Sequence, residues 1–350
     1  MTLKAPFVWF GGKRRVAAEV WTALGDVDNY VEPFAGSLAV LLGRPHDLLD
    51  GQRRAETVND ADGFLANFWR ALAHDPEAVA MWCDWPVNEV DLFARHLWLV
   101  NTGRSRLLEG MESDPDFYDA QIAGWWVWGV NAWIGSGWCS GEGPWIHGDD
   151  GIGKRPHLGT AGQGVNRKRP HLADAGQGVN RQLPHLGNAG RAGYNNMEHR
   201  PNVLGYFEQL AGRLRDVRVC CGDWSRVVTN GALSFGSTVG VFLDPPYLGD
   251  VRTADLYAVD DHTISHEVRD WCLANGDNPR YRIVLAGYSD EHDELIPDTW
   301  KRYRYSASAA YSTTASAARQ DGNHANRKSE VLWMSPHCLT HDQGTLWETL

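Results

Sequence analysis

Residues 243–250 read LDPPYLGD, and four of them, Asp244, Pro245, Pro246 and Tyr247, combine an acid, two rigid backbone positions and an aromatic ring at the end of an apolar run, Val239–Leu243. An exocyclic amine on an aromatic ring is a poor nucleophile, because its lone pair is delocalised into the ring. Asp244 can accept one of its N–H bonds and the carbonyl of Pro245 the other, drawing the nitrogen toward a geometry that carries a lone pair. Consecutive prolines fix that carbonyl in place, and Tyr247 offers a face on which a flat base can rest. The competing reading is an ordinary turn.

Two earlier stretches suit a ligand beside this group. In VEPFAGSLAV (31–40), Glu32, Pro33 and Phe34 end a strand, and Gly36 opens a turn into a helix whose free N–H groups can meet a carboxylate or phosphate. In VND (58–60), Asp60 ends the next strand, where an acid can accept ribose hydroxyls. Taken singly, a plain turn and a solvated acid account for these two as well.

The elements that must position these residues are legible from periodicity. Short β-type runs at 29–36, 55–62, 217–223, 239–247 and 282–290 end at polar or small residues, and those with apolar cores predict buried strands of a mostly parallel sheet. Helical patterns at 13–24, 63–75 and 264–275 lie between them. The alternation implies an α/β doubly wound sheet with its ligand site beyond the carboxyl ends of the strands.

With 43% hydrophobic and 22% charged residues the chain is globular in composition, but its 17 tryptophans exceed what packing normally requires. No signal-like or membrane-length apolar stretch occurs, so a cytoplasmic protein is expected. Six cysteines without CxxC or metal-ligand spacing predict free thiols, neither disulfides nor zinc. The net charge of −11 argues against a general nucleic-acid binder, yet residues 154–200 hold eight basic side chains against two acidic. Such a local cationic face fits a polyanion docking at one place.

FVWFGGKRR (7–15), VEPFAGSLAV, VNDADGFLANFWRAL (58–72), CCGDW (220–224), DPPYL (244–248) and KSEVLWMS (328–335) together resemble, in the same order, the motifs of Dam-like, D12-class DNA adenine-N6 methyltransferases. The resemblance covers residues 5–75 and 200–336. It implies a Rossmann-like doubly wound mixed sheet, the class I S-adenosylmethionine-dependent methyltransferase fold, in alpha-type motif order. Residues 1–75 and 201–350 would form a discontinuous catalytic domain around an inserted target-recognition module, 76–200. Carried over residue by residue, Trp9 and Lys13 match the N-terminal cofactor contacts, and Glu32, Pro33, Phe34 and Gly36 the cofactor loop. Asp60 matches the ribose-binding acid, Asp223 a position near the cofactor's adenine, and Asp244, Pro245, Pro246 and Tyr247 the catalytic motif. The family implies S-adenosylmethionine as methyl donor, double-stranded DNA as substrate and no metal. The alternatives are methylation of cytosine N4, disfavoured because those enzymes more often carry serine where Asp244 stands, and a catalytically silent DNA-binding relative. The same chemistry serves restriction–modification, mobile-element protection and regulation, in a monomer or a homodimer.

Residues 76–200 do not align with the family's target-recognition helices. Six tryptophans lie between Trp125 and Trp145. They predict a buried helix or strand in the core of the insert, with stacking on an extruded base as the alternative, and Asn131 inside that run needs a partner. A 14-residue repeat (KRPHL at 154 and 168, QLPHL at 182) favours successive turns over about 154–195. Its Lys154, Arg155, Arg167, Lys168, Arg169 and Arg181 are candidate DNA-phosphate contacts, whereas His157, His171 and His185 are too dispersed for a metal site. The small-residue-rich, basic segment 301–328 predicts a mobile loop near the active site.

Overall fold

The computed structural model describes residues 3–7, 9, 12–45, 54–133, 138–139, 146–148, 151–154, 203–246, 261–305 and 330–340. A 3-10 turn, Lys13–Arg15, leads into α1 (Ala17–Leu24), β1 (Asn29–Glu32), α2 (Ala39–Leu42) and β2 (Ala55–Asp60). Five helices follow: α3 (Gly63–His74), α4 (Pro76–Cys83), α5 (Glu89–Trp98), α6 (Arg104–Ser113) and α7 (Ala120–Ala132), with a π-helical turn, Leu99–Gly103, joining α5 to α6. Their starts are set by side chains that accept otherwise unpaired N–H groups: Asp62 for α3, Asp75 for α4, Asn88 for α5 and Asp119 for α7. A small antiparallel hairpin, β3 (Ile146–Gly148) and β4 (Gly151–Lys154), precedes α8 (Val203–Leu214) and β5 (Val217–Cys221). The chain closes with β6 (Val239–Leu243), α9 (Asp261–Asn275), β7 (Tyr281–Tyr288), α10 (Ser289–His292), β8 (Lys301–Tyr305) and β9 (Glu330–Met334).

Seven strands form one sheet in the order β5-β2-β1-β6-β7-β9-β8. The pairs from β5 to β7 are parallel, and β9 runs antiparallel to both β7 and β8. This mixed sheet is consistent with a class I methyltransferase fold. The expected strands and helices occur at the expected places, with one correction. Lys301–Tyr305, read as the beginning of a loop, is the edge strand β8, which leaves Lys301, Tyr303 and Arg304 exposed. Its ladder with β9 satisfies the backbone along one side, and charged residues suit the exposed edge. The rest of the predicted loop, 306–328, lies outside the described residues.

Alternation along the central strands splits the core into two faces. Tyr30, Phe242, Val284, Ala286, Leu332 and Met334 point to the side covered by α1, α2, α3 and α8. Val31, Val241, Leu243, Ile283, Leu285, Val331 and Trp333 point to the side of α9 and the 3-10 turn Trp224–Val227. The first core continues without a break into α4, α5 and α7, so residues 76–133 rest on α3 and α8. The Trp-dense run is therefore a buried helix over 125–132, with Trp126 and Trp128 almost wholly enclosed. Gly129 leaves room for the indole of Trp138, which donates to the carbonyl of Trp126 at 3.0 Å. Asn131 finds its partners in the carbonyls of Val127 (2.8 Å) and Pro6 (3.1 Å).

All six cysteines are free thiols, four of them buried. Among the described residues no helix is long and apolar enough to cross a membrane.

Candidate active site at the carboxyl edge of the sheet

The four parallel strands β5, β2, β1 and β6 end at one edge of the sheet, and each delivers an acid there or just beyond: Asp223, Asp60, Glu32 and Asp244. Strands about 4.8 Å apart spread Asp223 and Asp244 over roughly 14 Å, the length of a nucleoside with an attached tail. From β1 the chain turns first toward β2 and β5 and returns to the opposite side as β6. The gap between β1 and β6 is the topological switch point at which open α/β sheets bind ligands.

Glu32 is buried. Its carboxylate accepts the Tyr30 hydroxyl at 2.8 Å, and burial pushes its pKa up to about 8 despite this bond and one from the Leu41 amide. Pro33 lies between two ends of the sheet, because Asn59 donates both to its carbonyl (3.0 Å) and to that of Gly222 (2.9 Å). Phe34 stacks on Trp224, with ring centroids 6.1 Å apart. Gly36 adopts φ +48°, and a Cβ there would lie 2.8 Å from Trp9 Nε1, so the turn needs glycine twice over. Its N–H donates to Asp60 Oδ2 at 2.9 Å, while Asp60 Oδ1 accepts the Asp62 N–H at 2.9 Å. Burial raises the Asp60 carboxyl to about 6 in spite of these donors. Asp223 is exposed and caps the 3-10 turn Trp224–Val227 by accepting the Ser225 N–H.

The N-terminal segment crosses this edge because the tryptophan helix holds it there. Phe7 packs against Phe68, Trp69 and Trp126, Trp9 packs against Trp126, and Trp69 donates to the Gly36 carbonyl at 3.0 Å. Thus anchored, Lys13 is 5% exposed and sets its Nζ 3.1 Å from Asp244 Oδ1 and 3.8 Å from Glu330 Oε2. Pro245 is buried behind Asp244, and Pro246 is partly so.

Trp9, Lys13, Glu32, Pro33, Phe34, Gly36, Asp60, Asp223, Asp244, Pro245 and Pro246 thus share one edge. Tyr247, Arg155, Arg167, Lys168, Arg169 and Arg181 lie outside the described residues, as do the three repeat histidines, and Lys154 is described only as the last residue of β4. Reading the sequence missed Asn59, Trp69 and Glu330 as parts of the site. Each sits inside a quoted motif, but only the sheet register shows where it lands.

The donor set suits a cationic, hydroxyl-bearing ligand. Both Asp60 oxygens keep a lone pair beyond the Gly36 and Asp62 donors, Asp223 is exposed past the end of the neighbouring strand β5, and aromatic rings stand at Phe34 and Trp224. S-adenosylmethionine, with its ribose and sulfonium, fits such a set. Among the described residues no group of three His, Cys, Asp or Glu side chains is placed to hold a metal ion.

Residues 9–84 match the family model described as D12 class N6 adenine-specific DNA methyltransferase, a span that runs from Trp9 through Asp60 to the end of α4. No curated protein matches the chain significantly. The family match joins a sheet of the right topology to the strand-end acids just described: residues 9–84 are similar to the D12 class of N6 adenine-specific DNA methyltransferases, enzymes that depend on S-adenosylmethionine.

Proposed function

We propose that this enzyme methylates an adenine turned out of double-stranded DNA into a pocket beside Asp244, as a monomer or homodimer in the cytoplasm. The observation that carries this reading is the Lys13–Asp244 pair at the end of β6, beside the switch point. S-adenosylmethionine supplies an electrophilic methyl group. Asp60 accepts its ribose hydroxyls, Asp223 lies toward its adenine, and Trp9, Glu32, Pro33, Phe34 and Gly36 shape the turn that seats it. Asp244 and the Pro245 carbonyl accept the two N–H bonds of the target amine, Pro246 keeps that carbonyl in place, and Tyr247 stacks on the base. As the amine lone pair forms the N–C bond, the C–S bond of the sulfonium would break and leave a neutral thioether, and the positive charge arriving on N6 would be relieved by loss of its proton to water. Its acidity rises once it is cationic, so most of the rate comes from positioning. Flipping is required because the amine is out of reach inside the duplex.

In this reading the catalytic domain comprises residues 1–75 and 201–350, and target recognition resides in 76–200. There α4–α7 form the seat, and the basic repeat, with Lys154, Arg155, Arg167, Lys168, Arg169 and Arg181, meets the phosphates. Incubation with methyl-labelled cofactor and duplex DNA, followed by digestion to nucleosides, tests the proposal. Label in N6-methyladenosine supports it, provided that Asp244→Ala abolishes transfer while the fold stays intact. Label in N4-methylcytosine, or near wild-type transfer by that variant, would sink it.

A further inference from the structure

Lys13 has two carboxylates, not one. Its Nζ lies within ion-pair distance of Asp244 and of Glu330, and the three side chains are 5%, 19% and 9% exposed. Glu330 is the first residue of β9, where it stands opposite Tyr288 of β7 and Tyr305 of β8. It reaches the site from the antiparallel hairpin, an element remote in sequence from all the cofactor motifs.

The charge balance gives the second carboxylate a purpose. Lys13 and Asp244 alone form a neutral pair, and the ammonium draws electron density away from the oxygen that must accept an amine proton. With Glu330 on the same ammonium, the trio carries one net negative charge. That surplus matters when the target nitrogen becomes cationic, since in a partly buried site a preorganised charge acts with little screening. We propose that Glu330 is a positioning residue for methyl transfer: it holds Lys13 against Asp244 and keeps the Asp244 carboxylate net negative toward the developing N6 cation. This inference rests on the reading of Asp244 as the amine acceptor.

Glu330 also raises the proton affinity of Asp244, since like charges disfavour each other's ionisation. Among the described residues, the titratable or charged groups that face the Glu330–Asp244 pair are Lys13 on the N-terminal turn, Glu32 at the end of β1, Tyr288 on β7 and Tyr305 on β8.

The test is the pH dependence of kcat for the full chain with duplex DNA and saturating S-adenosylmethionine, in wild type, Glu330→Gln and Glu330→Asp. Glu330→Gln should lower kcat by about tenfold with little change in KM for DNA, and should move the acid limb of the profile to lower pH. Glu330→Asp, which keeps the charge, should restore much of kcat and return the limb. A folded glutamine variant with wild-type kcat and a superimposable profile overturns the proposal. Should that variant fail to fold, Glu330→Ala, which also removes the charge, takes its place: a kcat about tenfold lower with the limb at lower pH supports the role, and a folded variant with wild-type kcat and limb refutes it. Asp244→Asn, measured alongside, separates the two levels, because activity there would overturn the parent reading of Asp244, whatever Glu330 does.

Discussion

Lys13 Nζ and Asp244 Oδ1 are 3.1 Å apart, although 230 residues separate them in the chain. The contact joins the N-terminal segment to the end of β6. It forms because Phe7 and Trp9, on either side of position 8, are packed against Trp126 of α7. Lys13→Met keeps an unbranched side chain one atom shorter and removes the cation, leaving Asp244 and Glu330 to face each other. One carboxyl must then hold its proton to higher pH. The expected outcome is a kcat at pH 7.5 reduced by about a hundredfold, with an acid limb shifted upward, opposite in direction to the shift expected for Glu330→Gln. Initial rates between pH 5.5 and 9 check it, and a limb that stays in place would show that the ammonium does not act through Asp244.

Asp60 binds two backbone N–H groups, from Gly36 and Asp62, and yet its carboxyl titrates at about 6 because burial outweighs them. Below that pH the acid is protonated and one oxygen becomes a donor, which removes an acceptor from the ribose contact proposed for Asp60. Cofactor affinity should therefore fall as the pH drops through about 6. Asp60→Asn should bind about tenfold more weakly at pH 7.5 and show a flatter dependence. Calorimetric titration of S-adenosylmethionine at pH 5, 6 and 7.5 measures both. Equal slopes for wild type and variant would remove Asp60 from the ribose.

The sheet and the acids along its edge were legible in the sequence because the parallel strands are short β-type runs, most apolar in β6 and β7, that stop at polar or small residues. The runs ending at Glu32, Asp60 and Asp244 all declared themselves in this way. Glu330 did not. Its strand is equally apolar, but β9 runs antiparallel, so the residue facing the site stands at the strand's beginning, and no local pattern reports direction. The tryptophans were ambiguous for another reason. Composition distinguishes large flat side chains from small ones, but not a packing role from a stacking role, and only the contacts of Trp126 with Phe7 and Trp9 show that one of them braces the N-terminal segment. Edge strand β8 was hidden by its own solubility, since after Lys301 two arginines, Arg302 and Arg304, alternate with Tyr303 and Tyr305, and such charges suit an edge.

Glu32 carries the last prediction, which concerns stability. Its carboxyl is buried, accepts the Tyr30 hydroxyl, and titrates at about 8 in the folded protein against an ordinary value of 4.5. Between these two pH values the folded chain holds a proton that the unfolded chain releases. The contribution of this group to stability is therefore complete below about 4.5 and is lost as pH rises through about 8. Glu32→Gln removes the titration, and its amide oxygen can still accept from Tyr30. The stability of cofactor-free wild type relative to this variant should fall by about 2 kcal/mol or more between pH 5 and pH 9, a size consistent with burial of a single charge. Denaturant midpoints at pH 5, 7 and 9 test this. If the two proteins change in parallel, the Glu32 carboxyl is ionised throughout, and the turn at 33–36 is held beside a buried charge instead of a buried acid.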